Sequence, residues 1–333
     1  MRRLRWGILG CGSVATTAVA PAIRWSRNGE LAAIGSRTLA RAEERARATN
    51  AARAHGSYDA LLADPGVDAV YIGVPNGEHT RWALAAASAG KHVLCEKSLT
   101  LSVAGARIMR AAFASRGLRL VEGFMVRHHP QWSVLQRLLR EGVVGEIDHV
   151  RAWFRARLDA PDDHRWSAEL GGGALFDLTC YPVNLARFVF GEEPRRVRAA
   201  ASFVRPGVDA STDAILEFGG GRIATVHGSL RGASEQGVVI GGTRGRIVLA
   251  RPFVPGWDAT EVVVEVDGGE RVAHVVPGAN HYLHLVEHVA ACALDASLPL
   301  EPAEDGVGNV AVCSAIAIAA RTGSTTRVDH VGV

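Results

Sequence analysis

Two short stretches of the chain carry side chains that could perform acid–base chemistry. In the first, Glu96 and Lys97 stand side by side directly after the apolar run His92–Cys95. The chain has 37 Lys plus Arg residues, and only Lys91 and Lys97 are lysines. A guanidinium stays charged, whereas an amine can give up a proton. We therefore predict that residue 97 is a lysine because a site needs an amine, and that Lys91 is an ordinary surface lysine.

The second stretch is a glycine-rich segment that leads into a predicted helix. Three glycines, 171–173, precede Asp177 and Tyr181, whose spacing of four places both side chains on one face of a helix. The glycines would allow the backbone to approach a ligand or cofactor closely. Pro182 removes one helical hydrogen bond and predicts a kink or irregular turn. The alternative is an ordinary amphipathic helix with a capping aspartate and a half-buried tyrosine.

A glycine pattern near the N-terminus predicts a dinucleotide-binding turn. The strand Leu4–Leu9 is followed by the sequence GCGSVA and an alanine-rich helix, which matches G-x-G-x-x-A. The first glycine permits the tight turn, the second lets the backbone approach a pyrophosphate, and the small third residue lets the helix pack on the strand. The residues predicted to bind the cofactor here are Gly10, Gly12, Ser13, Val14 and Ala15.

The end of the next strand indicates which dinucleotide is bound. The strand Leu31–Gly35 runs into Ser36 and Arg37, where an NAD site normally has an acidic residue for the ribose 2′-hydroxyl. An arginine and small hydroxyls suit a 2′-phosphate, so NADP(H) is favoured over NAD(H). The alternative is that Arg37 is a plain surface residue at a helix start.

The elements that must position these residues alternate between strand and helix in the first part of the chain. Apolar runs at 69–74, 92–95 and 119–121 follow the first two strands, and alanine-rich segments separate them. This alternation predicts an α/β domain over residues 1–122 with a doubly wound parallel sheet. Ligands bind such sheets at the carboxyl ends of the strands, the edge to which Gly10, Ser36, Pro75 and Lys97 are assigned.

The second part of the chain has a strand-like period of two from about Ile147. About six to nine strands with glycine-rich turns predict an α+β domain over residues 123–333, with a large, open, mainly antiparallel sheet. A final pair of helices, 281–295 and 303–321, would close the structure. One face of the sheet needs cover from a helix or a second subunit, which favours an oligomer.

Composition excludes several classes of protein. A net charge of +3 over 333 residues, with only short basic runs, gives no nucleic-acid footprint. The chain has no run of about 18 uninterrupted apolar residues, so no membrane span is predicted. The five cysteines are widely spaced and lack CxxC, as expected of reduced thiols in a cytoplasmic protein. The N-terminus imitates a secretion signal, but three glycines interrupt its apolar part.

A histidine pattern near the C-terminus raises the question of a metal. His281, His284 and His288 form HxxHxxxH on a predicted helix. No acidic residue completes a known ligand motif. We therefore predict no metal site.

Together these motifs resemble the glucose-fructose oxidoreductase / inositol dehydrogenase / rhizopine-catabolism (Gfo/Idh/MocA) family over essentially the whole chain. The segments that carry the resemblance are GILGCGSVA, VPNGEH, GKHVLCEKS and GGGALFDLTCYPVNLARFVFG. The resemblance implies a Rossmann domain and an α/β domain whose open sheet forms a homodimer or homotetramer. Tyr181, where the inositol dehydrogenase type has histidine, resembles the branch of aldose and dihydrodiol dehydrogenases and nucleotide-sugar 3-ketoreductases. Ser98 replaces the proline of the family's Glu-Lys-Pro motif, which would stiffen the turn that aims the lysine.

The resemblance implies hydride transfer between a nicotinamide and a carbinol or ketone carbon of a sugar-like substrate. Tyr181 is the candidate acid/base, since a neighbouring ammonium lowers the pKa of a phenol from its ordinary value of about 10. Lys97 would supply that ammonium or protonate the oxygen itself, and Asp177 would bind a substrate hydroxyl or keep the lysine charged. Further cofactor contacts are expected from Pro75, Asn76, His79, Glu96 and Lys97. Further substrate contacts are expected from Arg127, His128, Trp166 and Tyr282.

The residues leave several functions open. Oxidation of a free aldose, a dihydrodiol-type dehydrogenase reaction and reduction of a nucleotide-linked keto-deoxysugar all fit the tyrosine branch. Some relatives bind a dinucleotide without turnover and act as regulators, which the retained Lys97, Asp177 and Tyr181 argue against. Glycoside cleavage through a transient 3-keto sugar is normally paired with a histidine-type site and is disfavoured.

Overall fold

The computed structural model describes residues 2–297, 299 and 303–329. The chain forms two compact units, each built from two pieces of sequence. The first unit combines Met1–Met125 with Asn280–Val307, and the second combines Val126–Ala279 with Gly308–Val333. The sequence had suggested a single boundary after residue 122.

The first unit contains a parallel sheet of six strands in the order β3-β2-β1-β4-β5-β6. The strands are β1 Leu4–Leu9, β2 Gly29–Gly35, β3 Arg53–His55, β4 Ala69–Ile72, β5 His92–Cys95 and β6 Leu120–Glu122. All neighbouring pairs run parallel. The strand order reverses between β1 and β4, which is where a doubly wound sheet opens a crevice for a ligand. The predicted doubly wound α/β fold is therefore confirmed.

Short helices follow the strands of this sheet. They are α1 Ala20–Trp25, α2 Leu39–Thr49, α3 Tyr58–Leu62, α4 His79–Ser88 and α5 Val103–Ala114. A π-helical turn, Ala15–Val19, leads into α1, and a 3₁₀ turn, Asn76–Glu78, leads into α4. Buried strand residues such as Ile8, Ile34 and Leu94 form the core between sheet and helices.

The second unit contains a nine-stranded sheet in the order β14-β13-β12-β11-β7-β10-β9-β8-β15. The strands are β7 Ile147–Arg155, β8 Arg196–Arg205, β9 Val208–Glu217, β10 Ile223–Ser229, β11 Glu235–Gly242, β12 Gly245–Leu249, β13 Thr260–Val266, β14 Arg271–Val276 and β15 Thr326–Arg327. Neighbours are antiparallel except β7 and β10, which are parallel. The sheet is thus mainly antiparallel, as predicted.

Two helices cover one face of this sheet. They are α6 Pro130–Glu141 and α7 Cys180–Phe190. The first packs against β13 and β14, and the second against β7 and β10. Along β7, Val150 and Ala152 are buried, whereas Arg151 is exposed and Trp153 half-exposed. This alternation separates a covered face from an open face.

A helix near the C-terminus explains why the first unit uses two pieces of chain. The helix α8, His281–Leu294, buries Leu285, Val286 and Val289 and packs against α1, β1 and β2. Its apolar face therefore finds cover on the parallel-sheet unit, which a boundary drawn by sequence periodicity does not reveal.

The last helix, α9, spans Ala303–Thr322. Among the described residues it is the one helix long and apolar enough to cross a membrane, a criterion that a core helix also meets. In this protein 61% of the apolar stretch of α9 is buried.

Candidate active site

The turn after β1 has the geometry of a dinucleotide-binding loop. Gly10 has a φ of +106°, and a β-carbon there would lie 2.6 Å from the carbonyl oxygen of Gly73, so only glycine fits. Ala15 is buried, which allows the close packing of helix and strand. The intervening residues at the start of the helical segment are exposed: Gly12, Ser13 and Val14. Exposed backbone at a helix start suits a pyrophosphate.

The end of β2 carries positive charge. Ser36 is buried, and its amide donates to the carbonyl of His55 at 3.1 Å. Arg37 is exposed and makes no ion pair with the described part of the chain. Burial raises the pKa of the half-buried Tyr58, and the charges of Arg37 and Arg41 act against that rise. Both guanidinium groups therefore lie close enough to Tyr58 for their charges to act on its hydroxyl.

The loop after β4 and the start of α4 carry three of the predicted cofactor residues. Pro75 and Asn76 are half-buried at the strand end. The His79 side chain is 0% exposed, with Nε2 2.8 Å from the carbonyl oxygen of Val74 and Nδ1 2.8 Å from that of Ser98. The ring of His79 is thus held by two carbonyl oxygens of the chain itself, and the cofactor contact expected of this residue stays a prediction.

Glu96 and Lys97 follow β5 and are both half-buried. The hydroxyl of Tyr71 donates to Oε1 of Glu96 at 2.8 Å. Burial raises the pKa of Tyr71 well above its usual range, and the Glu96 carboxylate adds to that rise. Tyr282, on α8 in the same unit, also has a pKa raised by burial and by Glu96. Glu96 is thus oriented by a tyrosine that stays protonated.

Lys91 is not the surface residue that the sequence suggested. Its side chain is buried, and Nζ donates to the carbonyl oxygens of Asp64 at 2.9 Å and Val67 at 2.7 Å. Burial lowers the pKa of this ammonium. A compact ammonium with several donors fits between two carbonyls, so Lys91 occupies a place that favours an amine.

In the second unit, Tyr181 lies in the first turn of α7. A π-helical turn, Leu175–Thr179, directly precedes this helix, so the irregular turn predicted from Pro182 is present. Tyr181 is 5% exposed. Its ring packs edge-on against Phe154 at a centroid distance of 5.4 Å and tilted against Phe253 at 5.7 Å. These rings fix the direction of the phenol axis.

Asp177 is held by a residue that the sequence analysis missed. Nε of Arg165 donates to Oδ2 of Asp177 at 2.9 Å, and Nη1 donates to Oδ2 of Asp163 at 3.1 Å. The pattern Asp-Asp-His-Arg-Trp at 162–166 was the available signal, but only Trp166 was singled out from it. Trp166 is half-exposed beside Arg165.

The glycine-rich lead-in approaches the chain itself. The amide of Gly173 donates to the carbonyl of Arg165 at 2.9 Å, and a β-carbon at Gly173 (φ +111°) would collide with the carboxylate of Asp209. The same carboxylate accepts from the amide of Leu175 at 2.9 Å. On the side where a β-carbon would stand, the space beside Gly173 is filled by Asp209, and a close approach of these glycines to a ligand stays a prediction.

The remaining predicted substrate residues of the second unit lie before α6. Nη1 of Arg127 donates to Oδ1 of Asn184 at 3.2 Å, and its guanidinium stacks over Phe188 at 4.7 Å. His128, the next residue, is half-buried. Arg127 is thus a rigid cation.

The histidines of α8 make local contacts. The ring of His281 packs edge-on against that of Tyr282, and Nε2 of His288 faces Sγ of Cys292 at 3.6 Å. Within residues 2–297, 299 and 303–329, no group of three or more His, Cys, Asp or Glu side chains could hold a metal. All five cysteines are thiols.

Comparison with known proteins places the chain in a family. A family model described as "Oxidoreductase family, NAD-binding Rossmann fold" matches residues 4–124, and one described as "GFO/IDH/MocA C-terminal domain" matches residues 132–248. The chain belongs to the GFO/IDH/MocA family of NAD(P)-binding oxidoreductases.

Individual relatives are similar over nearly the full chain. An uncharacterized oxidoreductase, ORF334, of Rhizobium meliloti is 39% identical, covering 97% of this chain and 99% of the relative. The D-xylose 1-dehydrogenase (NADP(+)) 2 of Haloferax volcanii is 35% identical, covering 98% and 100%. The crystal structure of KijD10, a 3-ketoreductase from Actinomadura kijaniata in complex with NADP and TDP-benzene, matches with a TM-score of 0.90 at 31% identity, covering 96% of this chain and 98% of that one.

Proposed function

We propose that this protein is an NADP(H)-dependent oxidoreductase that transfers a hydride between the nicotinamide and a carbinol or ketone carbon of a sugar or sugar derivative. The observation that carries the proposal is the place of Lys97. This amine follows β5 on the carboxyl edge of the parallel sheet, the edge that also carries the Gly10 turn. An amine at that edge can serve as an acid or base beside a reacting oxygen.

The cofactor supplies the hydride, so the chain must bind, orient and move a proton. We assign the proton transfer at the substrate oxygen to Tyr181, with the Lys97 ammonium favouring the phenolate. Asp177, oriented by Arg165, would accept a hydrogen bond from a substrate hydroxyl. Arg127, His128, Trp166 and Tyr282 are assigned to the substrate.

Replacing the two acid/base residues tests these roles. Lys97→Ala and Tyr181→Phe should each lower kcat at least about 100-fold, the scale of a lost acid/base group. The dissociation constant of NADPH, measured by fluorescence titration, should stay nearly unchanged. Near-full turnover in both variants would refute the assignment.

The cofactor preference is tested at the end of β2. Arg37→Asp places a carboxylate where the 2′-phosphate would bind, so it should weaken NADPH at least about tenfold while NADH changes little. Arg47→Asp makes the same charge reversal in the last turn of α2 and serves as the control. Equal weakening of both cofactors by Arg37→Asp would exclude the 2′-phosphate role.

A second candidate is reduction of a nucleotide-linked keto-deoxysugar. The full-length structural match to a 3-ketoreductase bound to NADP and TDP-benzene favours it, whereas the D-xylose dehydrogenase relative favours a free aldose. A screen of free aldoses, dihydrodiols and nucleotide-linked keto-sugars, followed at the nicotinamide absorbance with both cofactors, separates these activities. Cofactor binding with no turnover on the whole panel would instead indicate a regulator.

We also propose that two copies of the chain associate through the open face of the nine-stranded sheet, in the cytoplasm. That face carries apolar side chains together with charges of both signs, so an identical face could offer it apolar surface and charges of opposite sign. Its cavity has a volume of about 670 Å³. The apolar and charged side chains that line it include Arg151, Trp153, Arg198, Asp213, Ile215 and Glu235.

A further inference from the structure

The buried side chain of His79 lies between two loops at the ligand edge of the parallel sheet. One is the loop after β4, and the other is the loop after β5, which carries Lys97. The strands β4 and β5 are neighbours, so the segments that leave them run side by side. The ring of His79 lies between these segments, 2.8 Å from the carbonyl oxygen of Val74 on one side and 2.8 Å from that of Ser98 on the other. Ser98 is itself 1% exposed and directly follows Lys97.

Two further contacts hold the segment that follows Lys97. Thr80 and Thr100 share a hydrogen bond between their Oγ1 atoms at 2.7 Å. The amide of Leu99 donates to Oε1 of the buried Glu122 at 2.6 Å. Three consecutive residues, 98–100, are therefore each held by a side chain from another element.

We propose that His79 is a positioning residue for Lys97, and that its ring fixes the loop after β5 relative to the loop after β4. This inference rests on the catalytic role proposed for Lys97. The side chains that hold residues 98–100 would then stiffen this loop, as a proline at position 98 would. A displacement of about 1 Å at a reacting group can lower a rate by about 100-fold, so a fixed loop matters for an amine that must meet a substrate oxygen.

The chemistry of the ring agrees with this role. Burial lowers the pKa of His79, and the nearby Lys97 charge lowers it further, while the backbone contacts raise it. Each ring nitrogen lies within hydrogen-bond distance of a backbone carbonyl oxygen, so an N–H on either nitrogen has an acceptor. The ring acts as a hydrogen-bonding spacer, which phenylalanine can replace in shape but not in hydrogen bonding.

The chain offers a direct probe of Lys97, because it has only two lysines and Lys91 is buried elsewhere. Labelling with ¹³Cε-lysine should give two lysine signals, and the signal absent in Lys97→Ala identifies Lys97. In His79→Phe we expect the Lys97 signal to shift or broaden and its titration midpoint to move, while the Lys91 signal stays in place as the internal control for folding. The measurement needs no substrate, so it is independent of the proposed reaction.

Turnover supplies the second readout, on the substrate that the screen identifies. His79→Phe should lower kcat at least about tenfold with the dissociation constant of NADPH changed less than about threefold. In the Lys97→Ala background the same substitution should cause almost no further loss, because residues that act through one group are not additive. Thr80→Val removes the neighbouring contact and should show a smaller effect of the same kind.

The outcomes separate the two proposals. An unchanged Lys97 signal and titration in a folded His79→Phe variant would overturn the positioning role, whatever the activity. Full turnover of Lys97→Ala would instead overturn the proposed catalytic role, whatever the spectra. If His79→Phe does not fold, His79→Gln, which keeps a donor, is judged by the same spectra. A wild-type Lys97 titration in His79→Gln together with full loss of kcat would also contradict the inference.

Discussion

The two lysines of this arginine-rich chain stand in different surroundings. Lys91 donates to two backbone carbonyls in a buried place, and Lys97 stands at the ligand edge of the sheet. At position 91 a compact amine fits where a broad, permanently charged guanidinium does not. At position 91 the reason is fit, and at position 97 we infer that it is proton transfer.

Exchanging each lysine for arginine should separate these reasons. Lys91→Arg forces a larger group between the carbonyls of Asp64 and Val67 and should lower the free energy of unfolding by about 1–3 kcal/mol, with kcat retained. Lys97→Arg should leave that free energy within about 1 kcal/mol and lower kcat at least about 100-fold. Urea denaturation and steady-state kinetics check both. The idea fails if both variants lose the same property.

Alkaline pH provides a further check on Lys91. Because burial lowers the pKa of Lys91, the unfolded chain binds more protons at this site than the folded chain does. The wild type should therefore gain stability from this residue as the pH rises from the folded pKa toward the ordinary lysine value of about 10.4. Lys91→Arg should lose that slope, which urea midpoints measured across the alkaline range would show.

At the scale of elements, the sequence predicted local turns and strand ends but not the contacts between distant segments. The Gly10 turn and the strand end before Lys97 each follow from residue types within one strand, turn and helix. The ligand-binding edge of the parallel sheet could therefore be predicted. The partner of Asp177 and the carbonyl partners of His79 could not, because spacing does not specify which side chains meet after folding. The return of α8 to the first unit was missed for the same reason.

A contact between elements that spacing did not predict gives a stability test in the second unit. Arg187, 6% exposed in α7, donates to the two carboxylate oxygens of Glu193 at 2.7 and 2.5 Å and to Oδ1 of Asn309 in α9 at 3.3 Å. Arg187→Met leaves these acceptors without their donor, so it should lower the free energy of unfolding by about 3 kcal/mol.

The matched control is an exposed pair on α6. Arg137 bonds Glu141 four residues later at 3.0 Å, with both side chains largely in water. Arg137→Met should therefore change the free energy of unfolding by less than about 0.5 kcal/mol in the same urea experiment. Similar losses in the two variants would show that burial of Arg187 is not what makes its contacts stabilising.

At the scale of the whole molecule, the open face of the second sheet is the surface through which we propose that two copies associate. Its strands alternate between a covered and an open side, and the open side presents Trp153, which stacks with Arg151 at 5.1 Å. Neighbouring strands add Ile215, which is 41% exposed. An apolar surface bordered by both charge signs is costly in water and suits an identical surface from a second copy.

The oligomeric state tests this surface directly. Ile215→Glu places a charge at the centre of the open face, where two symmetry-related copies would bring two carboxylates together, so it should convert a dimer or tetramer into a smaller species. Ile108→Glu makes the same change at an exposed isoleucine of α5, in the first unit, and should leave the assembly unchanged. Light scattering during gel filtration gives both masses. If the wild type is a monomer, or if Ile215→Glu keeps the wild-type mass, the open face is not the contact between copies.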